Sequence, residues 1–301
     1  MLSLFRMSDL GLLSYYLGLE VHQTSRGISI SQAAYAAKLV ERGGMAGCNS
    51  GAVPMEPKPK TKLSKVSSSP LVDATRYRSI VGGLRYLVNT RPDLAYAVGF
   101  VSRFLEEPRE DHRAAVKHLL RYIAGMLDHG VFYGRAGSRR LISFSDSDHA
   151  GDKDDRKSTS GILYCLGDRP ITWQSSKQKV VALSSCEAEY IAAAQGACQG
   201  VWLARLLKDL IGSESGAPML KVDNKSAIDL SKNPVHHDRS KHIDIKYHYI
   251  RECVDGGKIV IDQISTKDQL ADILTKPLGR VKFQELCDRI GVVNIKHELL
   301  G

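Results

Sequence analysis

The hydrophobic positions follow three rhythms along the chain. Over residues 1–50 short apolar stretches alternate with turn signals: Leu12 to Val21 reads as a strand or short helix, ISISQ after Gly27 as a strand, and Ala34 to Val40 as helix. From Pro54 to Pro70 proline, lysine and serine accumulate with no hydrophobic period, which predicts a linker. Between 74 and 127 the period becomes helical, with Tyr77, Ile80, Val81, Leu84 and Leu87, then Ala115, Val116, Leu119, Leu120 and Ile123, at three- and four-residue spacings. This middle region is expected to be all helix, and Gly134 to Arg140 offers a second linker. Beyond it LISFSD (141–146), GILYCLG (161–167) and PITWQSS (170–176) read as three strands of an antiparallel meander. A long helix from Ser184 to Ile211 follows, then a strand ending at Asp223, helices through Ala227 to Leu230 and Ile243 to Val254, the strand KIVIDQI, and a last helix from Lys267 to Thr275 that Pro277 stops. The order predicts an α/β fold: a mixed sheet with helices on its faces.

Composition narrows the class without naming a function. A chain of 301 residues suits about two domains, and 43% hydrophobic with 25% charged residues is globular. No apolar run approaches the ~18 residues of a membrane span, and Arg6 and Asp9 interrupt the opening before a secretory signal can form. Six scattered cysteines show no C-x-x-C pair and read as free thiols of a reducing compartment, cytoplasmic with the nucleus as the alternative. The net charge of +9 favours an anionic partner such as nucleic acid, and argues against a membrane partner only in company with the missing apolar span.

Acidic residues supply the candidate chemistry. On the strand LISFSD, alternation puts Ile142, Phe144 and Asp146 on one face, so a carboxylate continues an apolar row. Such a charge is most simply offset by a cation. Asp148 shares that face and competes for the role. Asp223 ends a strand directly before a helix, where open sheets place their sites. Asp272 lies within KDQLADILTK among apolar neighbours, a poor interior helix residue. For Glu187 the pattern Ser184-x-x-Glu187 is a capping box, in which the carboxylate only steadies a helix start; Glu189, two positions on, then reads as a solvated helix residue. Acids from two strand ends, a helix start and a terminal helix can converge on divalent ions, which is the setting for phosphodiester hydrolysis.

The residues resemble those of a known family, the copia-like LTR retrotransposon Pol polyproteins. Their ribonuclease H part is matched by FSDSDHAGD (144–152), DRKSTSG (155–161), ITWQSSKQ (171–178), VALSSCEAEY (181–190), VDNKSAI (222–228), SKHIDIKYHYIRE (240–252) and ADILTKPL (271–278). FRMSDLGLLSYYLGLEV (5–21), YRSIVGGLRYL (77–87), TRPDLAYAVG (90–99) and LLRYIAG (119–125) are similar to the end of the same family's reverse transcriptase. The resemblance implies a ribonuclease H-like mixed sheet flanked by helices over 139–280. Before it would lie a reverse transcriptase remnant without its palm over 1–67 and a helical connection over 68–138, and after it a tail over 281–301. It implies Mg²⁺-dependent cleavage of the RNA strand of RNA/DNA hybrids by two ions, with Mn²⁺ as a substitute, beside the upstream palm and fingers of the polyprotein and inside a virus-like particle. The family's paired-aspartate palm motif falls upstream of the M-x-DLG segment, so polymerisation is not expected of these residues.

Carried over position by position, the family's metal-binding acids fall on Asp146, Glu187, Asp223 and Asp272. The resemblance thus sets the capping reading of Glu187 aside and prefers Asp146 to Asp148. His149 stands where the family usually has tryptophan, and the loop STKDQLA lacks the histidine that assists product release in cellular ribonucleases H. Arg156, Lys157, Ser158, Thr159 and Ser160 form a loop suited to gripping phosphates, and the resemblance favours that over an idle hairpin. Lys177 and Gln178 would line the same groove, and Asn224 would reach a ribose hydroxyl, the group that distinguishes RNA. His236, His237, His242 and His248 match no zinc spacing, and only His242 is kept as a neighbour of the site. Trp173 and Trp202 read as core, and Arg91 as helix-surface charge. The competing class is a module that binds hybrid or a partner without cutting, or a relic fragment of the element.

Overall fold

The computed structural model describes residues 11–57, 63–135, 137–212, 216–232, 243 and 245–300. Asp73 accepts hydrogen bonds from the amides of Thr75 and Arg76 and opens α2 (Ala74–Leu87), after α1 (Ala33–Arg42). Tyr77, Ile80, Val81, Leu84 and Leu87 are all buried, as the helical period requires. The chain continues through α3 (Ala95–Val101) and α4 (Glu110–Ala124). Ser184 caps the 27-residue α5 (Ser185–Ile211), and Gly212 ends it in the left-handed conformation.

The strands make two sheets. In the first, β1 (Tyr15–Tyr16), β2 (Leu19–Gln23), β3 (Gly27–Ser31), β4 (His129–Gly134) and β10 (Val292–Asn294) follow the order β1-β2-β3-β4-β10, every pair antiparallel. The second contains β5 (Leu141–Ser147), β6 (Thr159–Leu166), β7 (Arg169–Lys177), β8 (Met219–Val222) and β9 (Val260–Gln263) in the order β7-β6-β5-β8-β9. The meander β5-β6-β7 is antiparallel, while β5, β8 and β9 run parallel. Parallel neighbours need crossovers, supplied by α5 before β8 and by α6 (Lys225–Lys232) and α7 (Tyr249–Asp255) before β9. This is the mixed sheet with flanking helices that the sequence predicts.

Several expectations change. The segment 129–134, inside the stretch 68–138 expected as a helical connection, is β4, which pairs with β3 and β10. In the stretch expected as a tail, α8 (Arg280–Arg289), β10 and α9 (Ile295–Leu300) follow one another, and Phe283, Leu286, Cys287, Ile290 and Val292 enter the same core as α1, α2 and α4. Their apolar spacing makes burial the stable outcome. In place of one helix over 267–275 there are two short 3₁₀ turns, Thr266–Asp268 and Leu270–Leu274. Ser265 and Gln269 each accept from the amide two residues on, and these local bonds restart the backbone twice. Trp173 does pack against the core and donates to the Val88 carbonyl at 2.9 Å, but Trp202 is 55% exposed on the outer side of α5. Arg91 is 1% exposed rather than on the surface; its guanidinium grips both oxygens of Asp93, which also accepts from the Tyr122 hydroxyl.

Candidate metal centre

Asp146 lies near the end of the central strand β5, paired opposite Gly161 of β6. That glycine is required by a close approach: a Cβ there would meet Thr275 Cγ2 at 2.6 Å, Leu274 Cβ at 2.9 Å and the Ala271 carbonyl at 3.0 Å. The chain between 270 and 276 can therefore lie directly on β6 beside Asp146. Gln269 pins its start, donating to the Ser145 carbonyl at 2.9 Å. Thr275 donates its hydroxyl to Asp146 Oδ2 at the other end.

Asp223 follows β8, the parallel neighbour of β5, so both acids emerge at the same edge of the sheet. Its Oδ2 accepts from Thr266 Oγ1 at 3.1 Å. The third acid comes from α5 and is Glu189, 6% exposed, whose Oε1 accepts from the Ser147 amide at 3.2 Å. One carboxylate oxygen from each of Asp146, Glu189 and Asp223 lies within 4.8 Å of the other two. Asp272 stands beside this trio and interacts with Asp146, and Lys276 Nζ lies 2.8 Å from Asp272 Oδ1 and 3.8 Å from Asp146 Oδ2.

The electrostatics are those of crowded like charges. Burial, then the charges of Asp146 and Asp223, push the Glu189 carboxyl up to about 9. Burial and Asp146 likewise raise Asp272 to about 6, and Asp223 is raised by the same two causes in the same order. Burial lifts Asp148 to about 6 as well, and its carboxylate accepts from the Thr159 amide. Among the described residues, the buried Oε2 of Glu189 has no hydrogen-bond donor. A cation is the group such a site lacks: all the donors are hard carboxylate oxygens, the set that suits Mg²⁺ or Mn²⁺, so the residues fit the expected metal.

The structure corrects the ligand expected on α5. Glu187 is the capping residue after all: its Oε2 accepts from the Leu183 amide at 2.8 Å while its own amide donates to Ser184 Oγ at 3.1 Å. Two residues on, a turn of roughly 200° about the helix axis carries Glu189 to the sheet instead of solvent. The readable signal was the capping box itself, because it commits one of the two glutamates and leaves the other.

The expected substrate contacts are mostly spent inside the protein. Ser158, Thr159 and Ser160 are buried; Ser158 Oγ accepts from the Ala150 amide, Thr159 Oγ1 from Arg103, and Ser160 Oγ from Gln178. Gln178 is itself buried, and its Nε2 also donates to Ser147 Oγ and the Ala188 carbonyl, tying the start of α5 to β5. Lys177 pairs with Asp152 and Asp155 at 2.8 Å each, and Lys157 with Asp155 at 3.8 Å. Asn224 Oδ1 accepts from the Ala227 amide and caps α6. Arg156 alone of its loop is exposed. His236, His237 and His242 fall outside the described residues. Sequence reasoning missed Gln269, Thr275 and Lys276, which orient the acids without being acids.

Sheet order, crossover pattern and the acids at the ends of adjacent parallel strands define a ribonuclease H-like α/β protein. The N-terminal domain of a Mycobacterium tuberculosis protein, solved as a ribonuclease H domain fused to maltose-binding protein, aligns with 50% of this chain and 98% of its own at 14% identity and a TM-score of 0.33. Residues 1–57 match the family "Reverse transcriptase (RNA-dependent DNA polymerase)". The chain belongs to the Pol polyproteins of copia-type retrotransposons. It is 44% identical over 291 residues to the retrovirus-related Pol polyprotein from transposon RE1 of Arabidopsis thaliana, covering 97% of this chain and 20% of that one. With the polyprotein from transposon TNT 1-94 of Nicotiana tabacum it shares 42% over 296 residues, covering 95% and 22%. It thus spans about a fifth of the length of these relatives.

Proposed function

We propose that this chain performs divalent-metal-dependent endonucleolytic hydrolysis of the RNA strand in RNA/DNA hybrids, as the ribonuclease H part of a retrotransposon Pol polyprotein working beside its reverse transcriptase. The observation that carries the reading is the meeting of Asp146, Glu189 and Asp223, from a strand, a helix and a strand end, within 4.8 Å. These three would hold the metal, and Asp272 would complete a second position next to Asp146. Divalent ions, when bound, activate a water and stabilise the leaving oxygen of an in-line displacement.

What the protein contributes is orientation. Thr275 fixes one oxygen of Asp146, the Ser147 amide one oxygen of Glu189 and Thr266 one oxygen of Asp223, so each carboxylate keeps its other oxygen for a cation. Recognition of the RNA strand would depend on the 2′-hydroxyl and the wide minor groove of the hybrid, with Arg156 as an exposed phosphate contact.

The test is a labelled hybrid incubated with purified protein in Mg²⁺. The expected result is cleavage of the RNA strand alone, abolished by EDTA and lowered at least about a hundredfold by Asp146→Asn. Hybrid binding without metal-dependent cleavage would assign a binding module instead.

A further inference from the structure

Lys276 is the cation already present at the acidic site. The residue is held on the segment that Gly161 admits and Gln269 anchors, one helical turn after Asp272, with its amide donating to the Asp272 carbonyl at 3.3 Å. Its ammonium lies between Asp272 and Asp146. On the other side of Asp146 the arrangement differs: among the described residues, Glu189 and Asp223 have hydroxyl and amide donors but no ion pair within 4.0 Å.

We propose that Lys276 is a positioning residue that makes the two halves of the metal centre unequal, holding the Asp272 side with its own charge and leaving the Asp146, Glu189 and Asp223 side for a divalent ion. This rests on the metal-dependent reading above. Charge counting gives the consequence. Four carboxylates facing one divalent ion and Lys276 are short by a single positive charge, whereas a second divalent ion leaves one positive charge in excess, which a phosphodiester would cancel. The substrate-free protein therefore takes one ion readily, and the second enters with the nucleic acid or by displacing the ammonium. Without the lysine, four carboxylates and two ions balance with no substrate present.

The experiment counts Mn²⁺ bound to substrate-free full chain by titration calorimetry and electron paramagnetic resonance. Wild type is expected to bind one ion. Lys276→Met is expected to bind two, with affinity at the second position raised at least about tenfold, and Lys276→Arg to bind one, because the charge is kept. Lys276→Gln is measured alongside, so that a folding defect in one neutral variant does not decide the matter. If both neutral variants bind Mn²⁺ with wild-type number and affinity, the proposal is overturned while the metal-centre reading stands. If wild type binds no Mn²⁺, or Glu189→Gln binds it as wild type does, both fall.

Discussion

Asp152 joins Arg103, which follows α3, to Lys177 at the end of β7, with pairs of 2.9 and 2.8 Å. Burial alone would raise its carboxyl, but the Lys177 hydrogen bond and the amides of Asp154 and Asp155 outweigh it and hold the group down to about 2. A depressed acid stabilises the fold above its unfolded value of 3.8, and that contribution is lost as pH falls through about 2. Asp152→Asn should therefore cost about 2 kcal/mol near neutral pH and much less near pH 2, read from denaturant melts across that window, since it leaves Arg103 half-buried without its partner. Gly161→Ala should cost about 1–3 kcal/mol in the same melts, because the atoms an added Cβ meets include backbone that cannot give way. At this scale the strand-end acids were readable, since period-two alternation exposes a misplaced carboxylate. The capping role of Glu187 was readable from local chemistry, whereas the turn of Glu189 toward the sheet was not, because only the packing of α5 decides which of its faces is buried. The hydroxyls of Ser158, Thr159 and Ser160 were not readable, because composition cannot tell a phosphate-gripping loop from one that hydrogen-bonds to itself.

The strands and helices of the second sheet announce themselves through their periods, and α5 through its cap and its terminal glycine. Less legible were the elements whose partners lie far away in sequence. The strand β4 is short and holds two glycines, and only its pairing with β3 and β10 makes it a strand. The helix α8 is amphipathic, yet nothing local says that its apolar face closes the core built by α1, α2 and α4. Leu286 is fully buried in that core, so Leu286→Ala should destabilise the protein by about 2–5 kcal/mol in urea unfolding. If 281–301 were a loose appendage, the substitution would leave the midpoint unmoved.

For the molecule as a whole, the acidic centre links folding to metal and pH. Glu189 keeps a proton in the metal-free fold that it loses when unfolded, so the contribution of this group falls as pH rises from 4.5 toward about 9. Under the proposed function Mg²⁺ would replace that proton, and the rise in melting temperature on adding Mg²⁺ should grow across the same interval in differential scanning calorimetry. Which glutamate of α5 faces the sheet decides the composition of the metal centre. The most direct measurement is the rate of Mg²⁺-dependent hybrid cleavage by Glu189→Gln and Glu187→Gln side by side. A loss of at least about a hundredfold for Glu189→Gln, with activity largely kept by Glu187→Gln, is the predicted outcome; the reverse order, or equal rates for both, would contradict it.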